Sequence, residues 1–461
     1  MTPALVAILV YMSIQLAIGV WISRRIHTES DYLVAGRQLG YALTTFSIFA
    51  TWFGAETVVG SAGIAYRDGV SLASAEPFGY GLCLVLMGLV FAVPLWRLRL
   101  TTLADLFRER YSQRVERFAA LVLIPSSILW AAAQVRAFGH VLSTATTGVD
   151  AEIAIAIAAG FTILYTMFGG LLVDAITDVI QGVMLILGLS VALVAVVMHL
   201  GGPTAAVATL ASVGPVRLIP PTGGSALAVI EEWAIPICGS VVATELVGRV
   251  IATRTAAIAR TSSLLAGAMY LTVGLVPVIL GLLGQRLLPG LADPEQIVPT
   301  VARQLLPTLF YAVFAGGLIS AILSTVDSTL LVSSGLLSHN LVVPMLRIRD
   351  ERAKVSIARA GVVVFGAVAY GLALRAEGVF ALVEQASAFG SAGALVTVCF
   401  GLFSRIGGAR AAAATLAVGT MSYIVAAMTS YSYPFLLSLA ASFSTYLLGA
   451  MIESRIVSSE K

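Results

Sequence analysis

Apolar stretches of about 20 residues, about thirteen of them, follow one another along this chain with only short polar connections between them. They lie near 3–23, 41–64, 73–95, 118–145, 151–168, 174–199, 225–247, 262–287, 308–342, 355–374, 378–403, 408–429 and 433–452. A helix of that length spans the hydrocarbon core of a bilayer, where every backbone polar group must be satisfied internally. The chain is therefore expected to be an all-α polytopic membrane protein whose main partner is the lipid bilayer. Only 11% of its 461 residues are charged, against about 25% in a soluble domain. The polar stretches are too short to hold a separate soluble domain, so 1–461 reads as one transmembrane domain. The first apolar stretch lacks a basic segment before it and reads as a retained helix.

The basic residues orient this arrangement. With the N-terminus outside, 21 of the 27 Lys and Arg fall on the cytoplasmic side, including a connection counted as Arg249–Arg260. Arg67, Arg217, Arg286, Arg303 and Arg375 fall outside, and Arg136 lies within a helix. Such asymmetry marks the cytoplasmic face and puts the C-terminus there. The Ala- and Arg-rich composition suggests a bacterial inner membrane. Asp174, at the start of its helix, reads as facing the cytoplasm, and Arg136 as pairing with a carboxylate such as Glu76.

Two of the helices are expected to be broken. The second carries Phe53-Gly54-Ala55-Glu56, then Gly60 and Gly63; the seventh carries Pro236 and Gly239 beside Glu231 and Glu232. Gly and Pro release backbone carbonyls that a neighbour, water or an ion must satisfy. The breaks sit five helices apart, which suggests inverted repeats of five helices with a binding site between them. The repeats would be 41–199 and 225–403, with an extra helix at 3–25 and two more at 408–452.

The ninth helix carries a polar notch, Ala321-Ile-Leu-Ser324-Thr325, followed by Asp327 and Ser328. Polar groups at membrane depth usually face a cavity or an ion path. Two adjacent hydroxyls near a free carbonyl supply the oxygens that a small hard cation takes, so the notch points to sodium. The alternative is that the hydroxyls bond back to carbonyls one turn earlier. Asp178, alone in an apolar helix, needs a cation, a proton or a local partner such as Thr177 or Gln181. Asp327 is open between a second ion site with Ser328 and a polar contact between helices.

Three segments together resemble the sodium:solute symporter family. They are Gly169-Gly170 with Thr177-Asp178 and Gln181; Ala321 to Ser328 followed by Ser333-Ser334; and Ala50-Thr-Trp-Phe-Gly-Ala-Glu with Gly60 and Gly63. The entry Asp31-Tyr-Leu-Val-Ala-Gly-Arg37 is similar as well. The resemblance implies a LeuT-like fold and sodium held by the carbonyls of Ala50, Phe53 and Ala321 with the hydroxyls of Ser324 and Thr325. It also implies that Asp178 lies beneath that site, assisting release or binding a second cation. The segment from Thr51 to about His140 is similar to the choline-transporter branch, where aromatic residues box a quaternary ammonium by cation–π attraction. Trp52, Tyr80 and Trp130 match that box; Ala243 stands where a fourth aromatic is expected. Glu56, Thr57 and Thr244 complete the expected substrate lining.

The resulting reading is a sodium-coupled symporter importing a small organic solute, cationic or a quaternary amine, by alternating access. Proton coupling through Asp178 or Glu56, or a sensor built on the same fold, are the alternatives. No phosphate loop and no His-Glu-x-x-His motif is present. An ATP-driven pump, an enzyme, a nucleic-acid partner and an obligatory protein partner are not expected.

Overall fold

The structure, a computed structural model, describes residues 3–71, 74–145, 150–213, 225–376 and 378–459. Arg217 and Lys461 lie outside them. Eleven helices among the described residues are long and apolar enough to cross a membrane. The bent pair Tyr41–Trp52 and Glu56–Asp68 passes the same test together, at an angle of 54°. The N-terminal apolar helix α1 (Pro3–Ser23) is separate from these. Each expected segment thus has a helical counterpart.

The broken second segment comprises α2 (Tyr41–Trp52), a π-helical turn at Glu56–Gly60, and α3 (Ser61–Asp68). Then come α4 (Phe78–Arg97), α5 (Gln113–Ala145), α6 (Ala151–Phe168) and α7 (Leu171–His199). The seventh segment is α8 (Ala226–Ala234), a π-helical turn at Ile235–Gly239, and α9 (Thr244–Ile251). It is followed by α10 (Ala256–Leu287), α11 (Thr308–Leu346), α12 (Glu351–Arg375) and α13 (Val379–Phe403). The hairpin α14 (Ala409–Met428) and α15 (Pro434–Ser459) closes the chain.

Both breaks have local causes. The α2 ladder stops at Phe53 N–H to Phe49 O (2.9 Å) and resumes with Val58 N–H to Gly54 O (3.4 Å). In between, Ala55 N–H turns out of the ladder to Gln134 Oε1 of α5 at 3.0 Å. In the seventh segment Pro236 sits within the π-helical turn, which absorbs its missing N–H. The interruption follows at Ser240–Ala243, directly after the expected Gly239.

The most enclosed spans are α5 and α11, each with 72% of its apolar window buried, against 28% for α15. Helix α11 lies along α7, where small residues permit close approach: a Cβ at Gly317 would stand 2.7 Å from Met184 O, and one at Gly188 3.1 Å from Phe314 Cα. The chain entering α2 is tied to the chain leaving α9. Leu39 N–H bonds Ala252 O (3.2 Å) and Arg254 N–H bonds Leu39 O (3.1 Å). This clasp brings the two broken segments side by side, with α7 and α11 against them.

Candidate functional site

The first break meets the polar notch of α11. Thr325 Oγ1 donates to Thr51 O at 2.8 Å across the helix interface and lies 3.1 Å from Ala321 O in its own helix. Thr325 thus makes the back-bond one turn earlier that the sequence offered as the alternative to an ion, and adds a contact with the break. Ala50 and Phe53 flank Thr51 and are buried. Their carbonyls belong to the last turn of α2, whose final acceptors have no intrahelical donor. It is the carbonyl of Thr51, not named from sequence, that meets Thr325. Ser324 Oγ donates to Asp178 Oδ1, and Ser47 Oγ of α2 donates to Asp178 Oδ2 at 2.5 Å. Asp178 thus bridges α2 and α11. Its side-chain partners are not Thr177 or Gln181: Thr177 Oγ1 accepts from Tyr165 OH (2.7 Å) and bonds Val173 O (3.0 Å).

A charged cluster lies beside this junction, and it corrects two expectations. Arg249 is not part of a cytoplasmic connection. It lies within α9, 0% exposed, with Nη2 2.5 Å from Asp174 Oδ2 and 3.6 Å from Asp178 Oδ2. Asp174 accordingly faces inward, 1% exposed. The rest of the guanidinium is used as well. Nε donates to Ser47 Oγ (2.9 Å), Nη1 to Glu245 O (3.2 Å) and Nη2 also to Ser328 Oγ. Ser328 Oγ lies 3.1 Å from Asp174 Oδ2 and 3.2 Å from Thr51 Oγ1. Asp327 is buried on the same helix, close enough to Asp174 and Asp178 for their charges to interact. An arginine inside the apolar run from Ser240 to Ala252 was the sequence signal, because such a residue must find a buried partner.

The expected substrate residues fall into two groups. Trp52 and Trp130 pack edge to face, centroids 5.3 Å apart, and Tyr80 lies 6.3 Å from Trp130. Tyr80 OH meets Ser387 Oγ at 2.8 Å. Glu56 and Thr57 sit just beyond the break: Gln134 Nε2 donates to Glu56 Oε2 (2.7 Å) and Thr57 Oγ1 to Glu76 Oε1 (2.8 Å). Tyr270 OH donates to the same Glu76 oxygen at 3.0 Å. Glu76 therefore belongs to this chamber and does not pair with Arg136, which bonds Ala373 O at 3.0 Å. On the second broken segment Ala243 precedes α9, and Thr244 Oγ1 meets Ser127 Oγ of α5 at 3.3 Å. Ser127 also donates to Glu245 Oε1 at 2.5 Å. Gln134, Tyr270 and Ser47 went unrecognised, since a polar residue in an otherwise apolar helix shows its partner only once the helices are packed.

A cavity of about 460 Å³ reaches the chamber, lined by Glu76, Tyr80, Pro236, Glu232, Glu384 and Phe380 among others. Arg67 and Asp68 also line it and pair with each other at 2.7 Å. The cavity lies at the ends of α3 and α13 that the basic-residue pattern assigns to the outside and reaches the inner end of α8 at Glu232 and the turn at Pro236. No group of three or more His, Cys, Asp or Glu among the described residues could hold a metal ion.

Taken together, the broken helix, the hydroxyl pair facing it and the buried carboxylate between them make a polar junction inside an apolar bundle. The model of the sodium:solute symporter family matches residues 32–419. The chain belongs to the sodium:solute symporter family. It is thereby an integral, multi-pass membrane transporter and not an enzyme. Among relatives in the family, High affinity choline transporter 1 of Homo sapiens is 28% identical over 402 residues, 82% of this chain and 69% of the relative. The sodium/pantothenate symporter of Escherichia coli (strain K12) is 25% identical over 458 residues, 95% of this chain and 94% of the relative. Among solved structures, a Na+-coupled sialic acid symporter in its substrate-bound outward-open state superposes with a TM-score of 0.85 at 17% identity, covering 99% of this chain and 98% of that one. A nucleobase-cation-symport-1 family transporter gives 0.60 at 16% identity, covering 94% and 96%. The fold is the LeuT-like one expected, with two broken helices.

Proposed function

We propose that this member of the family is a sodium-coupled secondary active symporter that imports a small organic solute by alternating access. Its proposed setting is a bacterial inner membrane, with the N-terminus outside and the C-terminus in the cytoplasm. The observation that carries the coupling is the contact of Thr325 Oγ1 with Thr51 O at 2.8 Å, where the end of α2 meets the notch of α11. Hydroxyls suit such a junction because each can donate its proton and still offer lone pairs. Ser324 gives its proton to Asp178, leaving those lone pairs for an ion. Sodium would be held by the carbonyls of Ala50, Phe53 and Ala321 with the hydroxyls of Ser324 and Thr325. All five are neutral oxygens, which suits an ion that must also be released. Bound there, the ion ties α2 to α11, and a preference of that kind between two conformations is all that coupling requires. Asp178 beneath it, with Asp327 and Ser328, would assist release or take a second cation.

The solute would occupy the chamber of Trp52, Glu56, Thr57, Tyr80, Trp130, Ala243 and Thr244. Relatives named for choline and for pantothenate leave its identity open. No Lys or Arg among the described residues forms an ion pair with Glu56 or Glu76. Those carboxylates favour a solute with positive charge.

Thermal stability of the purified protein in sodium, potassium and choline chloride at equal ionic strength tests the coupling. A ligand of the native state raises the melting temperature by mass action. The expected result is stabilisation specific to sodium, lost in Ser324→Ala/Thr325→Ala that remains folded by circular dichroism. Equal stability in sodium and potassium would refute the proposal and turn attention to proton coupling, tested with Asp178→Asn.

A further inference from the structure

Two carboxylates in the chamber are only half satisfied. Glu56 is 1% exposed and Glu76 7%. One oxygen of each is in use: Glu56 Oε2 accepts from Gln134, and Glu76 Oε1 from Thr57 and Tyr270. The other oxygen of each, Glu56 Oε1 and Glu76 Oε2, is buried without a well-formed hydrogen bond, although the Trp130 indole and the backbone N–H groups of the break stand close to Glu56. The two groups are near enough for their charges to interact, and Thr57, adjacent to Glu56, bonds Glu76 directly. Elsewhere in the bundle the buried carboxylates of Asp174 and Asp178 lie within 4 Å of an arginine; here they do not.

A buried carboxylate oxygen with no donor is costly, and two in one chamber add mutual repulsion. Glu76 also lines the cavity of about 460 Å³, in company with Glu232 and Glu384, and Glu56 lies behind it, so a solute entering by the cavity meets Glu76 first and must part the packing around it to reach Glu56. What completes it must bring positive charge and also hydrogens, because a carboxylate lone pair is satisfied by a donor. A quaternary ammonium has charge but no N–H. It would rely on aromatic faces, and these are poorly arranged for it. Trp52 is fully buried against Trp130 at an interplanar angle of 65°, and Ala243 leaves one side without a ring.

Resting on the reading of this chamber as the solute site, we infer that the transported solute is an organic cation bearing at least two N–H donors, a primary or secondary ammonium or an amidinium, seated between Glu56 and Glu76. Glu232 and Glu384 at the cavity wall attract it toward that seat. The aromatic residues cover its carbon skeleton.

The test is a methylation series that changes N–H count at constant charge: ethanolamine, N-methylethanolamine, N,N-dimethylethanolamine and choline. Each is titrated against the melting temperature of the full-length protein in sodium chloride. Half-saturation is expected to weaken stepwise along the series, by at least about tenfold from ethanolamine to choline, as loss of charge-assisted hydrogen bonds implies. Glu76→Gln is expected to weaken ethanolamine about tenfold while leaving the sodium-induced shift in place. Choline binding as tightly as ethanolamine overturns the inference, and so does the absence of any amine response in protein that responds to sodium. Protein that ranks the amines as expected but ignores sodium would keep this solute class and remove the coupling proposed above.

Discussion

Arg249 holds together groups from three helices: Asp174 of α7, Ser47 of α2 and Ser328 of α11, besides the Glu245 carbonyl one turn back. Arg249→Met would leave Asp174 buried without its cation, and breaking such a pair costs about 3–5 kcal/mol. A large fall in melting temperature is expected, with partial recovery in Arg249→Met/Asp174→Leu, because the second change removes the nearer of the two carboxylates that lose their cation and leaves only Asp178. Arg249→Lys is expected to be nearly as damaging, since a single ammonium cannot reproduce the planar fork. If the double variant is no more stable than the single one, the pairing does not carry this stability. Hydropathy places both Asp174 and Arg249 at the cytoplasmic side for a physical reason. Each stands near the end of an apolar run, where a charge can turn to water as readily as inward, and the apolar residues on both sides of Arg249 are the one hint that it turns in.

Between elements, the contact of α7 with α11 sets the geometry of the junction. Asp178 can reach Ser324 only while the two helices stay close. Small residues permit this, and Gly317 has no room for a side chain, with Met184 O 2.7 Å from where a Cβ would be. Gly317→Leu is expected to force the helices apart, at a cost of about 1–3 kcal/mol for overpacking, and to weaken sodium stabilisation with it. Gly371→Leu is the control, because a Cβ there meets nothing within 4 Å. Equal sodium responses in both variants would show that this spacing does not govern ion binding. The first break was legible because Gly54 stands among residues that otherwise favour helix. The second falls directly after Gly239, at Ser240–Ala243, and not at Pro236, because a π-helical turn accommodates the proline and defers the interruption. Helix position and length were readable from hydropathy. Which faces met was not, because apolar residues surround most of these helices and leave little directional signal.

At the scale of the whole molecule, the chamber opens by its cavity towards one face, while the opposite ends of the helices are tied by a polar network. Asp105, on the short helix Ala104–Arg110, accepts from Thr101 N–H (2.8 Å), Thr102 N–H (3.1 Å) and Asn340 Nδ2 (3.0 Å). His339 bridges it to Glu29, 3.2 Å from each, and Glu29 N–H bonds Glu351 of α12 at 2.9 Å. Asn340 also reaches Glu116 of α5, which pairs with Arg108 at 2.8 Å. Burial alone would raise the Asp105 carboxyl, but His339 and the amides of Thr101 and Thr102 outweigh it and hold it at about 2. Asp105 is thus charged throughout the physiological range. Its contribution is complete above about pH 4 and is lost only as pH falls through about 2. Under the alternating access proposed above, a network that ties the helix ends opposite the cavity would hold the conformation seen here, and sodium in the proposed site would favour the same one. Asp105→Asn removes charge-assisted hydrogen bonds worth roughly 1.5–3 kcal/mol each and should release that hold. When the binding-competent state becomes a fraction of the population, apparent affinity falls by that fraction. Half-saturating sodium is therefore expected to rise several-fold in Asp105→Asn, although Asp105 lies on the helix Ala104–Arg110 and supplies none of the proposed ion ligands. Unchanged sodium affinity in a variant of lowered melting temperature would make the network a source of stability alone, and the bias between faces would have to reside in the broken helices themselves.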